Sequence, residues 1–173
     1  MARRNWTRHA FAGREMLAQA LAATVAGQLG RAIENRGKAT LAVSGGTTPA
    51  LFFEHLAREE LDWSAVVVTL VDERFVPQTS ARSNAALVVA NLLRDRALAA
   101  HFLPLYAPFA DVALAADDAA GRLARHIPPL DVVVLGMGGD GHTASFFPDA
   151  AELEPLLGVR ITRSSDGWTI AAQ

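Results

Sequence analysis

A chain of 173 residues is about one domain long and can bury roughly 70% of the surface its unfolded form exposes. Hydrophobic residues make up 51% and charged residues 20%, which excludes general disorder. With 16 Lys and Arg against 18 Asp and Glu, the formal charge of -2 gives no basic field to attract nucleic acid or an anionic membrane, and the absence of cysteine excludes disulfides, thiolate metal sites and a Cys nucleophile.

The opening MARRNWTRHA is basic, but Arg14 and Glu15 interrupt the apolar stretch that an export signal would need, so a soluble, cytoplasmic protein is expected. From Gly13 to Asn35, Met16, Leu17, Leu21, Val25, Leu29 and Ile33 recur with helical spacing, and Gly37 supplies a stop. Lys38, the only lysine, lies beside the next predicted strand and is the single candidate for Schiff-base chemistry, which argues against that chemistry. Ala39 to Ser44 reads as a buried strand ending in Gly45 and Gly46, and Pro49 opens a helix through Leu56. A second buried strand, Ala65 to Val71, ends in Asp72, Glu73 and Arg74. Ser83 caps a helix running toward Arg96, and His101 to Leu105 is a short strand. Asp111 to His126 is an Ala-rich helix closed by Pro128 and Pro129, and the strand Asp131 to Leu135 runs into GMGGDGHTASFFP. This alternation predicts one α/β domain over 1–173, a Rossmann-like parallel sheet with helices on both faces, with ligands beyond the carboxyl ends of its strands.

Three polar motifs fall at those ends. In Ser44, Gly45, Gly46, Thr47, Thr48, the glycines let the backbone approach a ligand, and the following helix offers unpaired N–H groups to a phosphate; the plainer alternative is a glycine turn capped by Thr. In Asp72, Glu73, Arg74, the charges cannot all follow the strand inward, so some face a cleft; the alternative is a salt-bridged strand end. The third motif presents Asp140 and His142 from a loop containing Gly136, Gly138, Gly139 and Gly141. An imidazole with an unperturbed pKa near ~6.5 suits proton abstraction from water, and Asp140 is placed to orient it. His9, His55, His101 and His126 lie in helical, terminal or strand contexts and are given no role. Gly136, Gly138 and Gly141 also satisfy the dinucleotide pattern G-x-G-x-x-G, but Asp140 would set negative charge beside a pyrophosphate. Asp140 and His142 alone do not define a metal site.

Together, LAVSGGTTP, VDERFVP, RSNAALV and DVVVLGMGGDGHTASFFP resemble the 6-phosphogluconolactonase family in order and spacing over about Arg14 to Pro148. The resemblance implies hydrolysis of 6-phosphogluconolactone, a sugar-phosphate lactone, to 6-phosphogluconate in the oxidative pentose phosphate pathway, without metal or organic cofactor. It matches His142 to the catalytic histidine, Asp72, Arg74 and Asp140 to active-site positions, and Gly45, Gly46 and Thr47 to the phosphate-side loop; Ser44, Thr48, Gly138 and Gly139 join the expected substrate-binding set. The related glucosamine-6-phosphate deaminases carry a Glu five residues after the His, where this chain has Phe147, and usually a Tyr where it has Arg74. After Pro148 the chain departs from the family pattern: Arg160, Ile161 and Thr162 resemble a later family strand but come early, and the family's later lysine has no counterpart. The sheet is therefore expected to be incomplete at the C-terminus, with exposed apolar surface that favours self-association. A non-catalytic sugar-phosphate binder of the same fold is the alternative that this departure raises.

Overall fold

The computed structural model describes residues 7–46, 48–127, 129–148, 160–164 and 167–171, the last two spans by their backbone. The first helix, α1 (Arg14–Arg36), ends at Gly37, whose φ of 74° is a left-handed conformation open to glycine and whose N–H donates to the Ile33 carbonyl. Its buried face is Ala18, Ala22, Val25, Ala26, Leu29 and Ala32, while Met16 and Leu17 are exposed. Of the expected stripe, Val25 and Leu29 are buried and Leu21 and Ile33 pack against the core, and the alanines beside them, with small side chains, let the helix backbone approach its neighbours closely.

Strand β1 (Ala39–Val43) is buried along its whole length, and α2 (Pro49–Leu56) starts with proline in its first turn as the sequence predicts. Strand β2 (Val66–Leu70) follows and then, after a single residue, β3 (Asp72–Arg74). Helix α3 (Asn84–Asn91) is capped by the Ser83 hydroxyl, which accepts from Ala86 N–H. It stops short of Arg96: a short 3-10 turn, Asp95–Ala99, intervenes, with Asp95 at φ 49°. Strand β4 (His101–Leu103) leads to α4 (Val112–His126), where the Asp111 carboxylate accepts from the N–H groups of Ala113 and Leu114. Strand β5 (Val132–Val134) closes the parallel set.

These strands form a four-stranded parallel sheet in the order β4-β2-β1-β5, flanked by helices, with Leu41 opposite both Val68 and Val132. Trp63, Phe53, Leu29, Leu41, Leu56 and Leu70 fill the core and are almost wholly removed from water. Strand β5 is an outer strand among the described residues, and Val133 on it is 46% exposed.

A second, antiparallel sheet has the order β3-β7-β6, built from β6 (Arg160–Ser164) and β7 (Gly167–Ala171). Its register sets Asp72 opposite Ala171, Glu73 opposite Ile170 and Arg74 opposite Thr169. The charged cluster after β2 is therefore a strand of its own, where a loop start was expected, because the chain's last described strand supplies its hydrogen-bond partner. No helix among the described residues is long and apolar enough to cross a membrane.

Candidate active site

The carboxyl ends of the parallel strands meet a cleft of about 410 Å3. Ser44, Gly45, Gly46 and Thr48 line it from the turn after β1, Asp72 and Arg74 from β3, and Gly138 and His142 from the loop after β5. Three motifs separated in sequence thus share one opening, as expected for a parallel sheet. Thr47 lies outside the described residues. Gly139 and Asp140 are exposed and do not line the cleft; Asp140 reaches it only through His142.

The first turn is held at both sides. Ser44 N–H donates to the Val134 carbonyl at 3.1 Å, tying the turn to β5. Gly46 has φ 99°, a backbone state in which a side chain would be strained. At Gly45 the constraint is space: a Cβ would lie 1.8 Å from Asn84 Oδ1. Thr48 precedes α2 with an αR backbone and makes no side-chain cap bond, so the capping alternative for this hydroxyl does not hold and it stands exposed at the cleft.

Strand geometry sorts the charged triplet. Side chains alternate along β3, so Asp72 and Arg74 share the cleft side while Glu73 points the other way and is completely buried. Glu73 Oε1 accepts from the N–H groups of Arg74 and Asn84 at 2.7 and 2.8 Å, and Oε2 from Ala85 N–H and Ser83 Oγ at 2.8 and 3.0 Å. A carboxylate at the first turn of α3 satisfies N–H groups that the helix leaves open. Burial raises the Glu73 carboxyl above its ordinary value, against the lowering effect of these donors.

Asp72 is also buried, with both carboxylate oxygens engaged: Ser145 Oγ donates to Oδ2 at 2.9 Å, and Asn84 Nδ2 reaches Oδ1 at 3.3 Å and the Asp72 carbonyl at 3.0 Å. Burial raises its carboxyl above the ordinary 3.8, opposed by the Ser145 hydrogen bond and by the nearby charges of Arg74 and His142.

In the third motif, His142 Nδ1 and Asp140 Oδ1 are 2.5 Å apart, and the same oxygen accepts from His142 N–H at 3.2 Å. The hydrogen bond to the ring lowers the Asp140 carboxyl, which is therefore an acceptor near neutrality. An ionised Asp140 fixes the proton on Nδ1 and leaves Nε2 as the base. Phe147 stacks on the imidazole, ring centroids 4.9 Å apart at 29°, so an aromatic ring occupies the position where the deaminase pattern has an acid. Among the described residues, the loop from Leu135 to Pro148 forms turns, and no helix begins at Gly141, where the dinucleotide pattern would place one.

Sequence reasoning left Asn84, Glu73, Ser145 and Phe147 without roles. Asn84 and Ser145 lie inside the quoted motifs, next to a helix cap and three residues after His142, but only their contacts show what they hold.

Comparison with known proteins adds ancestry to this geometry. Residues 12–171 match the family model described as glucosamine-6-phosphate isomerases/6-phosphogluconolactonase. Over 156 residues, 88% of the chain, the sequence is 60% identical to a 6-phosphogluconolactonase of Mesorhizobium japonicum, and over 149 residues, 86% of the chain, it is 57% identical to one of Rhizobium meliloti. The match spans 63% and 64% of the lengths of those two relatives. A crystal structure of a 6-phosphogluconolactonase from Shewanella baltica superposes with a TM-score of 0.89 at 42% identity, covering 94% of this chain and 72% of that one.

Proposed function

Because the chain belongs to the glucosamine-6-phosphate isomerase/6-phosphogluconolactonase family, we propose that its cleft hydrolyses 6-phosphogluconolactone to 6-phosphogluconate. The observation that carries this reading is the meeting of an oriented imidazole, a guanidinium and a glycine turn around one opening. The names of the relatives supply the substrate class, and the geometry supplies the means.

In this reading the turn from Ser44 to Thr48 receives the phosphate, since its glycines keep side chains away from the backbone and the Thr48 hydroxyl stands at the cleft. Holding the phosphate fixes the lactone carbonyl near His142, so that binding becomes positioning. Nε2 of His142 takes a proton from water as the oxygen attacks the carbonyl carbon. The tetrahedral intermediate collapses, the bond to the ring oxygen breaks, and the imidazolium returns its proton to that oxygen. Arg74 stabilises the negative charge gathered in the cleft, and Asp140 holds the ring tautomer throughout. Asp72, with both oxygens engaged, frames the cleft and offers its remaining acceptor capacity to sugar hydroxyls. The reading needs no metal or organic cofactor and sets the reaction in the cytoplasm.

The test is fresh lactone with the purified chain, followed by proton release against spontaneous hydrolysis. Acceleration is expected, falling about 10²- to 10⁴-fold in His142→Ala with affinity for 6-phosphogluconate retained. Binding of 6-phosphogluconate with lactone loss at the buffer rate would instead identify a sugar-phosphate binder without turnover.

A further inference from the structure

The loop that carries His142 is shaped from within. Gly138 N–H donates to the His142 carbonyl, Gly141 N–H to the Gly138 carbonyl, and Thr143 and Phe146 exchange backbone bonds in both directions. These bonds set the loop's form, but being internal they do not fix where it sits on the sheet. Ser145 makes a contact of another kind. It is completely buried, and its hydroxyl donates to Asp72, which precedes it by 73 residues and lies on β3. Asp72 is a firm anchor, since Asn84 holds its other oxygen and its carbonyl, and Asn84 in turn lies against Gly45. Ala144, at φ 50°, turns the backbone between them so that His142 and Ala144 line the cleft while Ser145 is removed from solvent.

We propose that Ser145 is a positioning residue whose hydroxyl, bonded to Asp72, holds the loop bearing His142 in place against β3 and so sets where the imidazole stands in the cleft. This rests on the hydrolytic reading above for its kinetic consequence, though not for its structural one. Without the hydroxyl the loop keeps its internal bonds but loses this tie, and a displacement of about 1 Å at a reacting group is enough to cost on the order of 10²-fold in rate.

The test uses Ser145→Ala in the full chain, with Ser145→Cys, closest in size, for the same measurements if the alanine variant does not fold. The expected result is a kcat lowered about 10- to 100-fold, with KM and affinity for 6-phosphogluconate within about twofold of the parent. In an Asp72→Asn background the same substitution should then cost less than about twofold, because the tie has already been weakened. An unchanged kcat in the folded variant, or an equal loss in both backgrounds, overturns the proposal. A second readout is the ring carbon resonance of His142, assigned by its disappearance in His142→Gln; it should shift in Ser145→Ala, and an unmoved resonance in the folded variant overturns the proposal. If the parent chain does not accelerate lactone loss, the hydrolytic reading fails, and the resonance alone decides whether Ser145 positions the ring.

Discussion

Gly138 lies directly beneath the His142 ring: a Cβ added there would stand 2.2 Å from both Cε1 and Nδ1, and 2.7 Å from Asp140 Oδ1. The contact is with the tip of a side chain, so the fold can yield, but the ring cannot move without leaving Asp140 and Phe147. Gly138→Ala is therefore expected to change the unfolding temperature little while lowering kcat about 10- to 100-fold. Parallel thermal melts and lactone assays check it; a fully active variant would show that the ring's seat does not matter.

The buried carboxyls predict a pH dependence with a definite sign. The Asp72 carboxyl is raised by burial above its ordinary 3.8, so the folded protein binds that proton more tightly than the unfolded chain. The associated stability is fully present below the unfolded value and is lost as pH rises through the folded value. Glu73 is raised from 4.5 by the same cause and adds to the slope. Against a parallel denaturation series of Asp72→Asn, the parent should lose relative stability as pH rises from about 4 toward neutrality. A parent that gains stability relative to Asp72→Asn as pH rises over that interval would reverse the assignment.

Ala144 sits at φ 50°, where a Cβ is unfavourable by roughly 1 to 2 kcal/mol, partly offset in a glycine variant by the greater freedom of its unfolded chain. Ala144→Gly should gain about 0.5 kcal/mol, a rise of ~1 to 2 °C in unfolding temperature. Calorimetry settles the sign, and a fall in temperature would mean that the alanine methyl contributes more by packing than its backbone loses.

The outer strand β5 leaves Val133 46% exposed, and Leu135 beyond it is 55% exposed. An apolar strand whose outer edge is unpaired among the described residues favours pairing with a second copy of the chain. Sedimentation should show concentration-dependent association that Val133→Lys weakens. A single monomeric boundary across the concentration range would rule this surface out.

Pattern alone reached far in this chain. The buried run of Ala39–Val43, the proline opening α2 and the Ser83 cap of α3 are local signals, and they fell where spacing and capping chemistry put them. The parallel sheet followed from the alternation of strands and helices, and the three polar motifs at its strand ends marked the cleft. On α1 the spacing put Leu21, Val25, Leu29 and Ile33 on the face that packs against the core, but it also included Met16 and Leu17, which are exposed, and gave no weight to the alanines that share the buried face.

Contacts across the chain were not legible. That Glu73 turns inward to hold the start of α3 while Asp72 and Arg74 turn to the cleft depends on Asp72–Arg74 being a strand, and that in turn depends on pairing with Gly167–Ala171 nearly a hundred residues away. Ser145 meeting Asp72 and Asn84 lying on Gly45 are likewise products of packing. Residue type and spacing determine which local structure is cheap to form and which groups carry chemistry. Only the folded chain decides which of those groups face one another, because that choice is made by burial and by partners that local sequence does not contain.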